Sequence, residues 1–128
     1  MIQIFDRKGF DVLLTVDASS LQQADLSGRD LSHANMVQYD LSHANLKGAV
    51  LVGADLRLAR LDHADLRNTD LSQVDLSGAN LSHANLKGAT LNETLLTDTA
   101  LPKDFSQQQP GHHKLASIRV STVSGDKS

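Results

Sequence analysis

Apolar residues recur along this chain at every fifth position. Leucines occupy positions 21, 26, 31, 41, 46, 51, 56, 61, 66, 71, 76, 81, 86, 91, 96 and 101, and Met36 fills the one gap. In an α-helix five residues turn through about 500°, so successive leucines would drift by about 140° around the axis and never form one buried stripe. A flat strand fails as well, because an odd period puts successive leucines on opposite faces.

A second series resolves the conflict. Ala24, Ala34, Ala44, Ala49, Ala54, Ala59, Ala64, Ala79, Ala84 and Ala89 each stand two residues before a member of the first series. Residues two apart on an extended segment share a face, so each pentapeptide supplies one inward Ala/Leu pair. Three residues then separate each Leu from the next Ala, and the chain must change direction there to keep both inside. Each pentapeptide is therefore one side of a polygon. Gly28, Gly48, Gly53, Gly78 and Gly88 fall at the corners, where freedom to adopt unusual dihedrals is useful.

The number of sides follows from longer echoes. "LSHANLKGA" occurs at residues 41–49 and again at 81–89, a forty-residue interval that fits coils of ten or twenty and excludes fifteen. His43, His63 and His83 are spaced by twenty, as are Lys47, Arg67 and Lys87. A coil of four five-residue sides satisfies all three series.

The run "ADLSGRDLSHAN" at 24–35 through "VDLSGANLSHANLKGATL" at 74–91 resembles the pentapeptide-repeat proteins, whose motif is A(D/N)LXX. The resemblance covers about residues 19–101. It implies an all-β fold, a right-handed quadrilateral parallel β-helix of about four coils, in which each coil buries its interior by stacking on its neighbours. At ~4.8 Å per coil the solenoid is roughly 20 Å long. Arg29, Tyr39, Thr69, Val74, Thr94 and Thr99 depart from the small inward residue. A charged Arg29 has no place in a Leu-lined interior without a partner, so an irregular or open first coil is expected there.

Outside the repeats, residues 1–18 read as an N-terminal β-hairpin cap around "DRKG", with the β-branched and aromatic residues that the repeats lack. Pro102 ends the pattern, and residues 102–106 form a possible C-terminal cap with Phe105 folding over the last coil. Residues 107–128 are polar and aperiodic, the pattern of a flexible tail.

Composition narrows the class of function. Aromatics are 3% of the chain and Trp is absent, so no conventional layered core is expected. The absence of Cys excludes disulfides and Cys-based zinc sites. Neither a signal-peptide plan at "MIQIFDRKGF" nor an apolar run of ~18 residues is present, so a soluble cytoplasmic protein without membrane contact is expected. A net charge of −3 argues against direct nucleic-acid binding, which needs a clustered basic surface.

Candidate chemistry is confined to outward columns. The Asp and Asn before each leucine (Asp25, Asn35, Asp40, Asn45, Asp55, Asp65, Asp70, Asp75, Asn80, Asn85) are short polar groups able to bond neighbouring backbone or to form ladders between coils. His43, His63 and His83 should stack ~4.8 Å apart along one edge. A straight column of parallel rings supplies a tetrahedral zinc shell poorly. Asp62 is the only carboxylate directly beside it, so no metal or other cofactor is assigned. Protonation could loosen such a column, because adjacent imidazoliums repel. Lys47, Arg67 and Lys87 are expected to be neutralised across coils by the Asp25, Asn45, Asp65 and Asn85 face. His112 and His113 lie in the tail and receive no role.

No catalytic constellation is found. Ser42–His43 and Ser82–His83 are consecutive residues on an outer wall, without a converging base, orienting group or oxyanion donor. Leu41, Leu46, Leu51, Leu56, Leu61, Leu66, Leu71, Leu76, Leu81 and Leu86 form the structural core.

The reading is a non-enzymatic scaffold whose flat walls engage a protein partner, with a homodimer through one solenoid end a further option. The resemblance offers one alternative, since some family members mimic a DNA duplex and bind DNA gyrase, giving quinolone resistance. Duplex DNA carries about 12 charges over 20 Å. Residues 19–101 hold ten acids (Asp25, Asp30, Asp40, Asp55, Asp62, Asp65, Asp70, Asp75, Glu93, Asp98) and six bases (Arg29, Lys47, Arg57, Arg60, Arg67, Lys87), a net of 6 − 10 = −4. That ranks the mimic second.

Overall fold

The computed structural model describes residues 1–108. From Leu21 to Ala100 the chain winds as a four-sided coil, and each residue at the polar position before an inward leucine pairs in parallel with the residue twenty later. One side of the stack runs Asp25, Asn45, Asp65, Asn85, and the next Asp30, Val50, Asp70, Thr90. Each side contributes only one paired residue per coil, because five residues leave no room for a longer strand between corners.

The pentapeptide 45–49 shows why this geometry is stable. The Asn45 N–H donates to Ala24 O of the preceding coil at 2.8 Å, and the Leu46 and Gly48 N–H groups donate to Asp65 O and Arg67 O of the following coil at 2.8 and 2.9 Å. The Ala49 N–H closes the corner on Leu46 O at 2.9 Å. The remaining donor, the Lys47 N–H, bonds the Asn45 side-chain Oδ1 at 3.0 Å. All five N–H groups are thus satisfied, and where an Asp or Asn precedes the leucine its side chain accepts the fifth. The same side-chain bond recurs at Asp25, Asp30, Asp40 and Asp70, each to a serine N–H at 3.1 Å.

Each corner is a four-residue turn running from an inward leucine (Met36 in one case) to the next inward residue, with positive φ at its third residue, the dihedral signature of a type II turn. Glycine takes that position at Gly28, Gly48, Gly53, Gly78 and Gly88, but Gln23, His33, His43, Leu58, His63, Asn68 and His83 adopt it too, with φ between 58° and 63°. An L-residue there costs free energy. The inter-coil bond made by its N–H, such as His43 N–H to Asp62 O at 3.0 Å, offsets that cost.

The interior is filled. Leu41, Leu46, Leu51, Leu56, Leu61, Leu66, Leu71 and Leu76 are fully buried together with Met36, and the inward alanines pack between them. Thr69, Thr94 and Thr99 replace alanines by donating their hydroxyls to Leu46 O, Leu71 O and Leu76 O of the preceding coil, at 2.7, 2.8 and 2.7 Å. Arg29 departs from expectation. Its N–H still closes the corner on Leu26 O and its carbonyl accepts from Val50 N–H, so the first coil stays regular. The side chain avoids the core by remaining exposed.

At the N-terminal end, β1 (Ile2–Asp6) and β2 (Val12–Val16) form an antiparallel hairpin with a register irregularity at Ile4/Phe5. Asp6 organises its turn, with Oδ1 accepting from the Phe10 and Asp11 N–H groups. β1 also pairs antiparallel with β3 (Ala34–Asn35) of the first coil, so β1 occupies the place a preceding coil would fill. Ile4 is fully buried against the leucine core.

At the other end a short helix, α1 (Phe105–Gln108), closes the last coil. Leu101 and Phe105 pack on the core, and the Gln108 Oε1 accepts from the Leu86 N–H at 2.6 Å. Gln107 and Gln108, expected in the flexible tail, belong instead to this helix. Gln107 and Gln108 are helical because Asp104 accepts their N–H groups. The rest of that segment, with His112 and His113, lies outside the described residues.

Candidate functional site

The corner holding His43, His63 and His83 stacks three imidazoles on successive coils. Ring centroids are 4.7 Å apart in both steps, with interplanar angles of 2° and 11°. The spacing is that of the coils themselves, and the positive φ at each residue aims all three rings the same way. His33 stands half a coil away on the opposite corner, leaning over Gly53.

Asp62 lies beside this stack. Ligating atoms of His43, Asp62 and His63 all fall within 4.8 Å of one another. The Asp62 Oδ1 is shielded from solvent and accepts no hydrogen bond. Its nearest cation is the Arg60 Nε at 3.5 Å. Arg60 also lies 3.7 Å from Asp40 of the preceding coil.

The basic column meets the expectation of cross-coil neutralisation in part: Lys47 acts by charge on Asp65 of the following coil, whereas Arg67 does not reach across. Arg67 pairs within its own turn, its Nε and guanidinium nitrogen donating to the two Asp65 oxygens at 2.8 and 2.7 Å. The register puts the Asx residue and the turn residue two positions apart, which suits a bidentate fork. That guanidinium bond holds the Asp65 carboxyl below the ordinary aspartate range, against the opposing effect of burial. Arg57 and Asp55 repeat the arrangement on another side, at 2.8 Å for both bonds. There burial pushes Asp55 up most strongly, and the Arg57 side-chain and backbone donors together bring it below the ordinary range. Lys47 and Lys87 use their N–H groups in the turn bonds to Asn45 and Asn85.

Sequence reasoning passed over two features. Leu58 occupies a corner, out of phase with the inward series, and is 54% exposed. The signal is the second leucine in "DLRLAR", two residues after Leu56. The Asp55–Arg57 pair was readable in the same stretch as an acid and a base two apart.

These walls and corners define a protein built from stacked four-sided coils with a filled apolar interior and chemistry only on its outside. The pentapeptide-repeat family model matches residues 19–57 and 59–98, in eight copies. The chain belongs to the pentapeptide-repeat family, and its fold is the right-handed quadrilateral β-helix of that family. Among solved structures, a pentapeptide repeat protein from Nostoc Pcc 7120 is similar at 35% identity and a TM-score of 0.67, over 80% of each chain. A second, from the cyanobacterium Cyanothece 51142, is 31% identical with a TM-score of 0.56, over 76% of this chain and 60% of that one. Among curated proteins, none matches the chain with significance.

Proposed function

We propose that the protein is a non-enzymatic interaction scaffold that presents rigid walls of regularly spaced side chains to a protein partner. The observation that carries this reading is the filled interior. Leucines and alanines, with Met36, Val74, Thr69 and Thr94, fill the coil interior, and a solid interior leaves binding to the walls. Ser42 and His43 support the same reading, since Ser42 Oγ donates to Asp40 at 2.7 Å and His43 stacks on His63, so the two do not engage one another as nucleophile and base.

On those walls Leu58 is the one large apolar side chain of the coils exposed among the described residues. It borders a shallow groove with Val37, Arg57, Ser77, Gly78 and Thr97, and we take this groove as the contact centre, apolar in the middle and polar at the rim. Affinity capture with the immobilised full chain tests it. Leu58→Glu should abolish recovery of the partner, while Lys87→Glu, about one and a half coils further along and so on the opposite side of the solenoid, should leave it intact. Equal recovery by both variants would sink this assignment.

The DNA-mimic alternative rests on the acidic columns, but Arg57, Arg60 and Arg67 interrupt them and bind their own or neighbouring carboxylates. Inhibition of gyrase supercoiling by micromolar protein would reinstate it.

A further inference from the structure

We propose that His43, Asp62 and His63 form a binding site for one divalent transition-metal ion, spanning two adjacent coils. The sequence alone argued against a metal here, because a column of parallel rings makes a poor tetrahedral shell. The carboxylate changes that judgement. Asp62 differs from the aspartates that precede leucines. Those spend Oδ1 on the N–H two residues on, as Asp40 and Asp70 do at 3.1 Å. Asp62 stands one residue after Leu61, inside the turn, where no such donor is available. One of its carboxylate oxygens lies within 4.8 Å of ligating nitrogens from both histidines, and its Oδ1 is left buried without a hydrogen bond. The Arg60 Nε meets that oxygen by charge at 3.5 Å without a hydrogen bond, and a desolvated carboxylate in that state gains from a directly bonded cation.

The donor set selects the ion. Two imidazole nitrogens and one carboxylate oxygen suit zinc, cobalt, nickel or copper(II) and do not suit magnesium or calcium, which prefer all-oxygen shells. Metal–nitrogen bonds of ~2.0–2.1 Å require the two nitrogens to approach to about 3.4 Å in a tetrahedral shell. The rings start parallel with centroids 4.7 Å apart, so they must tilt toward each other. Both side chains are exposed and free to do so about χ1 and χ2. His83 stacks on the far side of His63 at 4.7 Å, but Ser82 holds the place there that Asp62 holds beside His63. The ion therefore seats between His43 and His63. Arg60 is the competing cation, and metal binding displaces its 3.5 Å contact with Asp62. Three protein ligands leave at least one position to water.

The test is calorimetric titration of the full chain with Zn²⁺, and with Co²⁺ followed by visible absorption, in a His112→Ala/His113→Ala background that removes the second histidine pair. One ion per chain is expected, together with a rise in melting temperature of ~5 °C at saturating metal. His43→Asn, His63→Asn and Asp62→Asn should each weaken binding at least ~10-fold, and His83→Asn should leave it within about threefold. Asparagine tolerates the left-handed turn conformation, and far-UV circular dichroism without metal confirms that each variant is folded. Binding that survives His63→Asn, is indifferent to Asp62→Asn, falls as far with His83→Asn as with His43→Asn, disappears in the His112→Ala/His113→Ala background, or needs millimolar metal overturns the proposal.

Discussion

The imidazole of His33 rests on Gly53, one coil further along: a Cβ added to Gly53 would come within 2.6 Å of His33 Nδ1. Leu58 lies over Gly78 in the same way, with Cδ2 2.7 Å from the corresponding point. A corner side chain leans toward the following coil, and a glycine beneath it gives it room.

Gly53→Ala and Gly48→Ala therefore separate two costs. Both glycines have positive φ, 71° and 72°, but nothing lies within 4 Å of a Cβ at Gly48. Gly48→Ala should destabilise by about 1–2 kcal/mol through backbone strain alone. Gly53→Ala should cost a further ~1–3 kcal/mol because the ring must move. Adding His33→Ala should bring the cost of Gly53→Ala back to that of Gly48→Ala, a coupling that a double-mutant cycle in urea measures.

Thr69 and Leu66 offer a contrast inside the core. The Thr69 hydroxyl bonds Leu46 O, which also accepts from the Ala49 N–H at 2.9 Å. Thr69→Val leaves no orphaned carbonyl and should cost only about 1 kcal/mol. Leu66→Ala opens a cavity at a fully buried position and should cost about 2–5 kcal/mol. Urea unfolding midpoints of the two variants should differ accordingly, and equal midpoints would contradict this account of the core.

Acid should weaken the protein through its paired aspartates. The folded-state pKa values of Asp40, Asp55 and Asp65 lie below the ordinary 3.8, so near and below that value the unfolded chain binds more protons. Their stabilisation is complete above pH 3.8 and is lost as pH falls through the lowered folded values. Asp55→Asn keeps an oxygen for the Arg57 N–H but loses the charged fork. At pH 7 it should cost about 1 kcal/mol, modest because the Arg57 end is solvent-screened. The difference from the parent should shrink as pH falls below 3.8, measured by urea denaturation across pH.

The period, the inward Ala/Leu pairs and the four-sided coil were legible because they rest on contacts two or three residues apart and on a twenty-residue register. The stacking of His43, His63 and His83 followed from that register. Arg67 was misassigned across coils, because a bidentate bond to Asp65 in the same turn depends on a side-chain direction that spacing alone leaves open. Arg29 was misjudged for a related reason: its backbone bonds to Leu26 and Val50 hold the coil regular while the side chain stays in solvent.

By itself the sequence determined the repeat unit and its phase, since an apolar residue every fifth position with a small residue two before it can be kept inside only by a corner in each pentapeptide. Only the tertiary structure decided that β1 pairs antiparallel with Ala34–Asn35, that Gln108 closes the Leu86 N–H, and that an Asp62 oxygen comes within 4.8 Å of two histidines. Those contacts join residues by how turns lean and ends fold back, and a periodic pattern carries no information about either.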